Sequence, residues 1–471
     1  MTKAAPYIGV IVLVILCVSA STFAVSLGDL TFLSLKDPNE QSKPSEDMPI
    51  NSEEEEEFDF SQPITLEQCI EIAQERASEI RTGQLDLILE DMNVSEARSS
   101  YLPQIDATGG YQFSDAVDFG WEKGNYSASV AASYTIWNHG QREGALAQAR
   151  SRRDIGYSQF NQTGQNLIFS VIRSYYSVLE AEKLISVNEQ VLEQSRQNVE
   201  KIKTFLELGV AIPADMATAR VQQASDELAV INDRNNLELA KADLAVSMGL
   251  SPNTPISVVD APDYEKYMRT GIIEMEEISI EDSISQALAH RPEMAQSRSN
   301  LSILETASML ARLNAWPRIT ADCGYNLMLD DYLREKNALK NHKSWDVSAR
   351  VSYPIFDGGR TRRTVQKADI ALEKMNENIS ELRRSIALDV HQTYLSLERA
   401  RKSLDITSVQ VEDAKMSLDV AQGRYEQQMI ILLELLDSQS RYTRALINQV
   451  NAFYDYKIAK STLDKAMGVL E

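Results

Sequence analysis

The stretch Tyr353–Arg363, YPIFDGGRTRR, decides the fold. Before it, WDVSARVSYPIF (345–356) alternates apolar and polar residues with the period of two expected of a β-strand. After it, from about Thr361 to Tyr425, neither proline nor a cluster of turn residues intervenes. A segment of about 65 residues at 1.5 Å rise makes about 100 Å of helix. A strand therefore feeds a very long helix through a Gly-Gly turn. ASYTIWNHGQR (132–142) repeats the arrangement ahead of a second long segment, from about Arg142 to Leu206.

The two junctions belong to an internal duplication. ITLEQCIEIAQERASEIR from Ile64 matches ISIEDSISQALAHRPEMA from Ile278, an offset of 214 that also places Pro103 on Pro317 and Tyr111 on Tyr325. Beyond the variable segment the offset is 219, with Tyr134 on Tyr353, Gly140 on Gly359 and Tyr175 on Tyr394. A length change confined between the paired blocks reads as a surface-loop insertion, because packed elements do not tolerate one.

Each copy holds two alternating segments. Ile105, Ala107, Gly109, Tyr111 and Phe113 share one face, and so do Tyr126, Ala128, Val130, Ala132, Tyr134 and Ile136. The second copy offers Ile319, Ala321, Cys323, Tyr325 and Leu327, then Trp345, Val347, Ala349, Val351, Tyr353 and Ile355. Strands of about ten residues, apolar on one face and aromatic near the ends, suit a membrane-crossing β-structure. Four strands cannot close a barrel, and an open edge in lipid leaves backbone groups unsatisfied at several kcal/mol each. Several chains must then share one barrel.

Within the long segments Val171, Val178, Ile185, Leu192, Val199 and Leu206 lie seven apart, as do Val390, Leu397, Leu404, Val411, Leu418 and Tyr425. A strict heptad implies helices held by lateral neighbours. The small row Ile386, Thr393, Ala400, Thr407, Ala414 and Ala421 allows close approach. After turns at 207–213 and 427–431, partner helices return.

The opening MTKAAPYIGVIVLVILCVSASTFA reads as a secretory signal peptide over residues 1–24. An acidic flexible segment spans 25–63, with the Glu53–Glu57 run within it. The first repeat covers 64–255 (hairpin about 104–137, helices about 138–250), a linker 256–277, and the second repeat 278–471 (hairpin about 318–356, helices about 360–469). The net charge of -22 disfavours nucleic acid as a partner. Three cysteines make no disulfide framework. His139, His290, His342 and His391 have no metal-ligand spacing, and no phosphate loop or placed triad occurs, so neither an enzyme, a cofactor nor a metal site is expected.

In their order, spacing and duplication, ITLEQCIEIA, SSYLPQIDATGGY, SYPIFDGGRTRRTVQKA, YEQQMIILLELLDSQSRY and KIAKSTLDKAMG resemble the TolC family of outer-membrane efflux proteins, from Ile64 to about Val469. The resemblance implies a mainly α fold with a membrane β-barrel portion. In it a homotrimer shares a twelve-stranded barrel continuous with an α-helical barrel in the periplasm. It also implies an exit channel of a tripartite efflux or type I secretion system. The expected partners are a periplasmic adaptor (membrane fusion) protein, an inner-membrane RND-type or ABC-type pump, and outer-membrane lipid. Leu208, Gly209, Val210 and Ala211 match an adaptor-contact tip. Asp215 and Tyr425 match residues that latch the closed state, where Ile430 replaces an arginine and Gln428 a turn glycine. Glu434 and Asp437 match carboxylates lining a pore constriction. The rival reading is an exported coiled-coil scaffold or adhesion protein without a pore; it explains the heptads and the acidity but not the strands.

Overall fold

The computed structural model describes residues 62–116, 121–259, 262–270, 278–330 and 343–470. The expected signal peptide and nearly all of the acidic segment lie outside them. The chain divides into two units. The first contains Glu90–Arg153 and Leu301–Lys374, the second Phe58–Leu89, Asp154–Asn300 and Met375–Glu471.

The first unit holds the sheet. β1 (Gln104–Ala116), β2 (Trp121–Trp137), β3 (Arg318–Asp330) and β4 (Lys343–Ser352) are antiparallel and lie in sequence order. The register keeps the apolar set together, since residues directly opposite one another share a face. Ile105 faces Ala132 and Ala107 faces Val130 across β1 and β2. Val130 faces Tyr325, and Ala132 faces Cys323, across β2 and β3. Tyr325 faces Trp345 and Cys323 faces Val347 across β3 and β4. Val130, Trp345, Val347 and Val351 are all exposed in the single chain. The opposite face is polar, with Thr108 and Ser129 hydroxyls 2.6 Å apart across the first pair.

The strand-to-helix junctions are built from left-handed residues. Gly358 and Gly359 have φ of 62° and 78°, and His139 and Gly140 at the matching positions have 56° and 87°. Asp357 holds the second junction by accepting from the N–H groups of Gly359 (2.9 Å) and Thr361 (2.7 Å). In the first, the His139 ring lies 3.6 Å from Trp137 and 5.0 Å from Trp316. Arg142, one turn on, donates to the Thr135 carbonyl at 2.7 Å.

Helices make up the rest. α1 (Leu66–Arg76) and α2 (Ser78–Ser99) precede the first hairpin, and α6 (Ile280–His290) and α7 (Pro292–Leu313) precede the second. α3 (Gln141–Glu207) and α8 (Arg360–Glu426) are 67 residues each, and α4 (Pro213–Ser247) and α9 (Leu432–Met467) return from them. The division between units falls within both long helices. α1 starts on a reciprocal cap in which Thr65 N–H donates to Gln68 Oε1 and Gln68 N–H to Thr65 Oγ1.

The second unit carries the main core. Val171, Val178 and Leu192 of the α3 heptad row are buried, as are Val390, Leu397, Leu404 and Leu418 of the α8 row. Ile386, Ala400, Thr407 and Ala421 of the small row are buried beside them. The region between the repeats is more than a tether. It contains α5 (Pro262–Thr270), whose Tyr267 hydroxyl donates to the Leu404 carbonyl and whose Tyr264 packs against Phe453 and Tyr454. Ile64 and Val258 form a parallel bridge between the entry to α1 and this region.

The duplication is written in the backbone as well. Left-handed residues occur at 139, 140, 209 and 249, and again 219 residues on at 358, 359, 428 and 468. Helices α3, α4, α8 and α9 all end on the paired hydrogen bonds of a Schellman cap; in α9, Gly468 N–H reaches Lys465 O and Val469 N–H reaches Asp464 O. A Cβ on Gly249 would lie 2.8 Å from Arg76 O, and one on Gly468 would lie 3.0 Å from Arg291 N. Both caps thus dock on the breaks that separate α1 from α2 and α6 from α7.

One carboxyl in this unit is set for a pH response. Burial, reinforced by Asp455, pushes Glu180 up to about 7. Its folded pKa exceeds its unfolded value, so the native state holds the proton more tightly over the window between them. Stability should therefore fall as pH rises from about 4.5 to about 7. Glu180→Gln should flatten thermal stability across that window; a variant with the wild-type slope would assign the dependence to other groups.

Candidate functional site

The residues singled out by the sequence gather at the two helix-to-helix turns of the second unit. α3 ends with Gly209 N–H on Leu206 O (3.1 Å) and Val210 N–H on Phe205 O (2.8 Å). Gly209 takes φ 74°. The turn leaves Leu208 and Val210 exposed, whereas Ala211 turns inward against Ile202, Met216 and Ala219. The four-residue tip is thus three outward positions and one packing position.

The second turn has the same bonds, Gln428 N–H to Tyr425 O and Met429 N–H to Arg424 O, both 2.9 Å. Here the left-handed position, φ 60°, falls on Gln428. A side chain in that conformation costs about 1–2 kcal/mol that glycine avoids. Gln428→Gly should therefore steady this tip by about 1 kcal/mol and slow limited proteolysis at 424–431 about fivefold. Faster cleavage would mean that the glutamine side chain holds the turn. Met429 and Ile431 are exposed, giving this tip an apolar surface of its own.

Tyr425 lies between the turns. Its ring centroid is 6.5 Å from that of Phe205, and it packs both on the cluster of Ile202, Met216 and Leu432 and on that of Leu418, Ala421 and Leu435, which Ile430 also joins. Ile430 is half-buried and makes an apolar contact at the place where an arginine was expected to be missing. Burial and the nearby Asp215 charge raise the Tyr425 hydroxyl above its ordinary range. Asp215 sits in the first turn of α4, behind Pro213, and its carboxylate accepts from Ile212 N–H at 3.2 Å. The structure thus brings Asp215, Tyr425 and Ile430 to one place, with the Asp215 carboxylate already engaged in capping its own helix.

Glu434 and Asp437 are exposed and three residues apart on α9, hence on one face. Glu434 occupies the first turn, where a helix N-terminus favours negative charge. Sequence reading overlooked Arg441, whose guanidinium lies 2.8 Å from the Asp437 carboxylate. The i,i+4 spacing of the two residues was the available signal. The arrangement offers exposed charge, apolar tips and a packed hinge between them. Among the described residues, no group of three His, Cys, Asp or Glu side chains could hold a metal ion, and no helix is long and apolar enough to cross a membrane.

Comparison with known proteins gives this geometry a context. The family model described as outer membrane efflux protein matches residues 69–250 and 283–469. The chain is 24% identical to the outer membrane protein TolC of Vibrio cholerae over 385 residues, 80% of this chain and 84% of that one. It is 22% identical to TolC of Escherichia coli over 422 residues, covering 87% and 83%. Among solved structures, the Campylobacter jejuni CmeC outer membrane channel superposes with a TM-score of 0.72 at 15% identity, covering 86% of each chain. The open state of the Neisseria gonorrhoeae MtrE outer membrane channel gives 0.71 at 19% identity, covering 86% of this chain and 89% of that one.

Proposed function

We propose a working assembly for this chain, which belongs to the outer membrane efflux protein family: three copies close one barrel and one tunnel. The chain is a passive outer-membrane efflux channel with its helices in the periplasm, and it is not an enzyme. The observation that carries the trimer is the sheet. Its four strands leave β1 and β4 as free edges among the described residues, and lipid does not tolerate an open edge. Pairing β4 of each copy with β1 of the next gives twelve strands and no edge.

Exposed heptad rows on the helices support the same reading. Leu388, Leu395, Val409 and Met416 form one such row on α8, interrupted by Lys402. Val221 and Leu228, then Leu239 and Val246, each seven apart, do the same on α4. Apolar rows at this spacing call for helical neighbours. In the proposed assembly those neighbours belong to the adjacent copies.

The exposed tips, Leu208, Gly209 and Val210 with Met429 and Ile431, form the contact for a periplasmic adaptor protein. Through it the channel serves an inner-membrane pump of the RND or ABC class. Tyr425, Asp215 and Ile430 hold the closed state, chiefly by packing. Glu434 and Asp437 line the constriction at the periplasmic entrance. Fixed carboxylates in a narrow pore select for cations.

Conductance in a planar bilayer tests this reading. Purified protein should open ohmic, cation-preferring pores with no energy source. Glu434→Ala combined with Asp437→Ala should lower the cation preference and weaken block by trivalent cations. Tyr425→Ala, which removes the packing ring, should raise the open fraction and leave ion preference alone. A double variant with wild-type preference and block would return both carboxylates to the ordinary helix surface.

A further inference from the structure

The entrance face of α9 carries more than two carboxylates. Glu434, Asp437, Arg441 and Arg444 follow at steps of three, four and three residues, which places them on one helix face. All four are exposed. Arg441 is ion-paired with Asp437 at 2.8 Å, while 72% and 57% of the two side chains remain accessible. The guanidinium stands one turn further from the hairpin tip than the carboxylate that it contacts.

We propose that Arg441 is a specificity-determining residue of the channel: its pairing with Asp437 halves the fixed negative charge of the constriction and leaves Glu434 to set ion preference. The inference rests on the reading of Glu434 and Asp437 as pore-lining residues. Two carboxylates per chain would give a ring of -6 in a trimer; one guanidinium per chain brings it to -3. On an open surface an i,i+4 pair of this kind counts for little. In a narrow ring, low-dielectric walls reduce screening, so each fixed charge acts on every ion that passes. Arg444 extends the positive side by another turn. A solute entering from the tip therefore meets Glu434 first and guanidinium groups behind it. Such an order weakens the attraction for small cations and lowers the barrier for anionic and zwitterionic solutes relative to a purely acidic ring.

The test uses the trimer in planar bilayers under a KCl gradient, with La³⁺ added on the side of the helical tunnel. Arg441→Gln should raise the cation-to-anion permeability ratio about threefold and tighten La³⁺ block about tenfold. Asp437→Asn combined with Arg441→Gln removes one charge of each sign and should return both quantities close to wild type. Glu434→Gln should abolish most of the preference. An Arg441→Gln channel with wild-type ratio and block, while Glu434→Gln lowers both, overturns the role of Arg441 and leaves the constriction standing. No change in any variant, Glu434→Gln included, overturns the constriction and the inference together.

Discussion

Val130→Arg is expected to abolish outer-membrane assembly, whereas a substitution at the adjacent Ser129 leaves most of it intact. Val130 stands mid-strand on β2, opposite Ala107 of β1 and Tyr325 of β3, on the face that gathers the apolar residues of all four strands. On that face Val130, Trp345, Val347 and Val351 are exposed in the single chain. In the barrel the face meets lipid, where an Arg at mid-depth costs about 2–4 kcal/mol. Three copies bring the cost to about 6–12 kcal/mol per trimer, comparable with the whole stability of an ordinary domain. Ala349→Arg, on the same face of β4, should behave alike. Ser129 points the other way and bonds the Thr108 hydroxyl at 2.6 Å; its loss removes one bond worth about 0.5–1.5 kcal/mol. The readout is the heat-modifiable trimer band from outer-membrane fractions. Equal loss from both substitutions would reverse or erase the assignment of faces.

Leu404→Ala is the second large effect, expected to cost about 2–5 kcal/mol. Leu404 is 1% exposed at the centre of the α8 heptad row. Its carbonyl also receives the Tyr267 hydroxyl at 3.2 Å, which ties α5 to the same point. A cavity there loosens the long helix and the inter-repeat helix together, so protease digestion of intact trimers should quicken at both. Lys402, two residues earlier, is exposed and paired with Glu398 at 2.6 Å on the helix surface. Lys402→Ala should change stability by no more than about 0.5 kcal/mol. Were the two variants equally sensitive to protease, the heptad row would not be the packing stripe.

These two residues also show what the sequence made legible. Val130 and Ser129 could be assigned to opposite faces because a strand alternates and a register error would have moved every side chain to the wrong side. Leu404 was legible because only a helix with lateral neighbours keeps a strict period of seven. Other features carried no such period. α5 is nine residues long and reads PDYEKYMRT, so charge conceals the two tyrosines that enter the core. Gln428 holds a left-handed turn with no glycine to announce it; the family resemblance marked it as standing in for a turn glycine, and its counterpart Gly209 points to the same place. Arg441 carries no signal of its own beyond its i,i+4 spacing from Asp437, a spacing common on any exposed helix. Local pattern revealed the elements; the pairings among side chains at the tips depended on how two hairpins meet.

The most direct test of the central claim is the mass of the intact species extracted from the outer membrane in mild detergent, measured by native mass spectrometry. Three chains sharing one barrel predict a single complex of three times the mature chain mass, recovered only when detergent is present. A chain released as a soluble single copy, or extracted as a stable monomer, would contradict it.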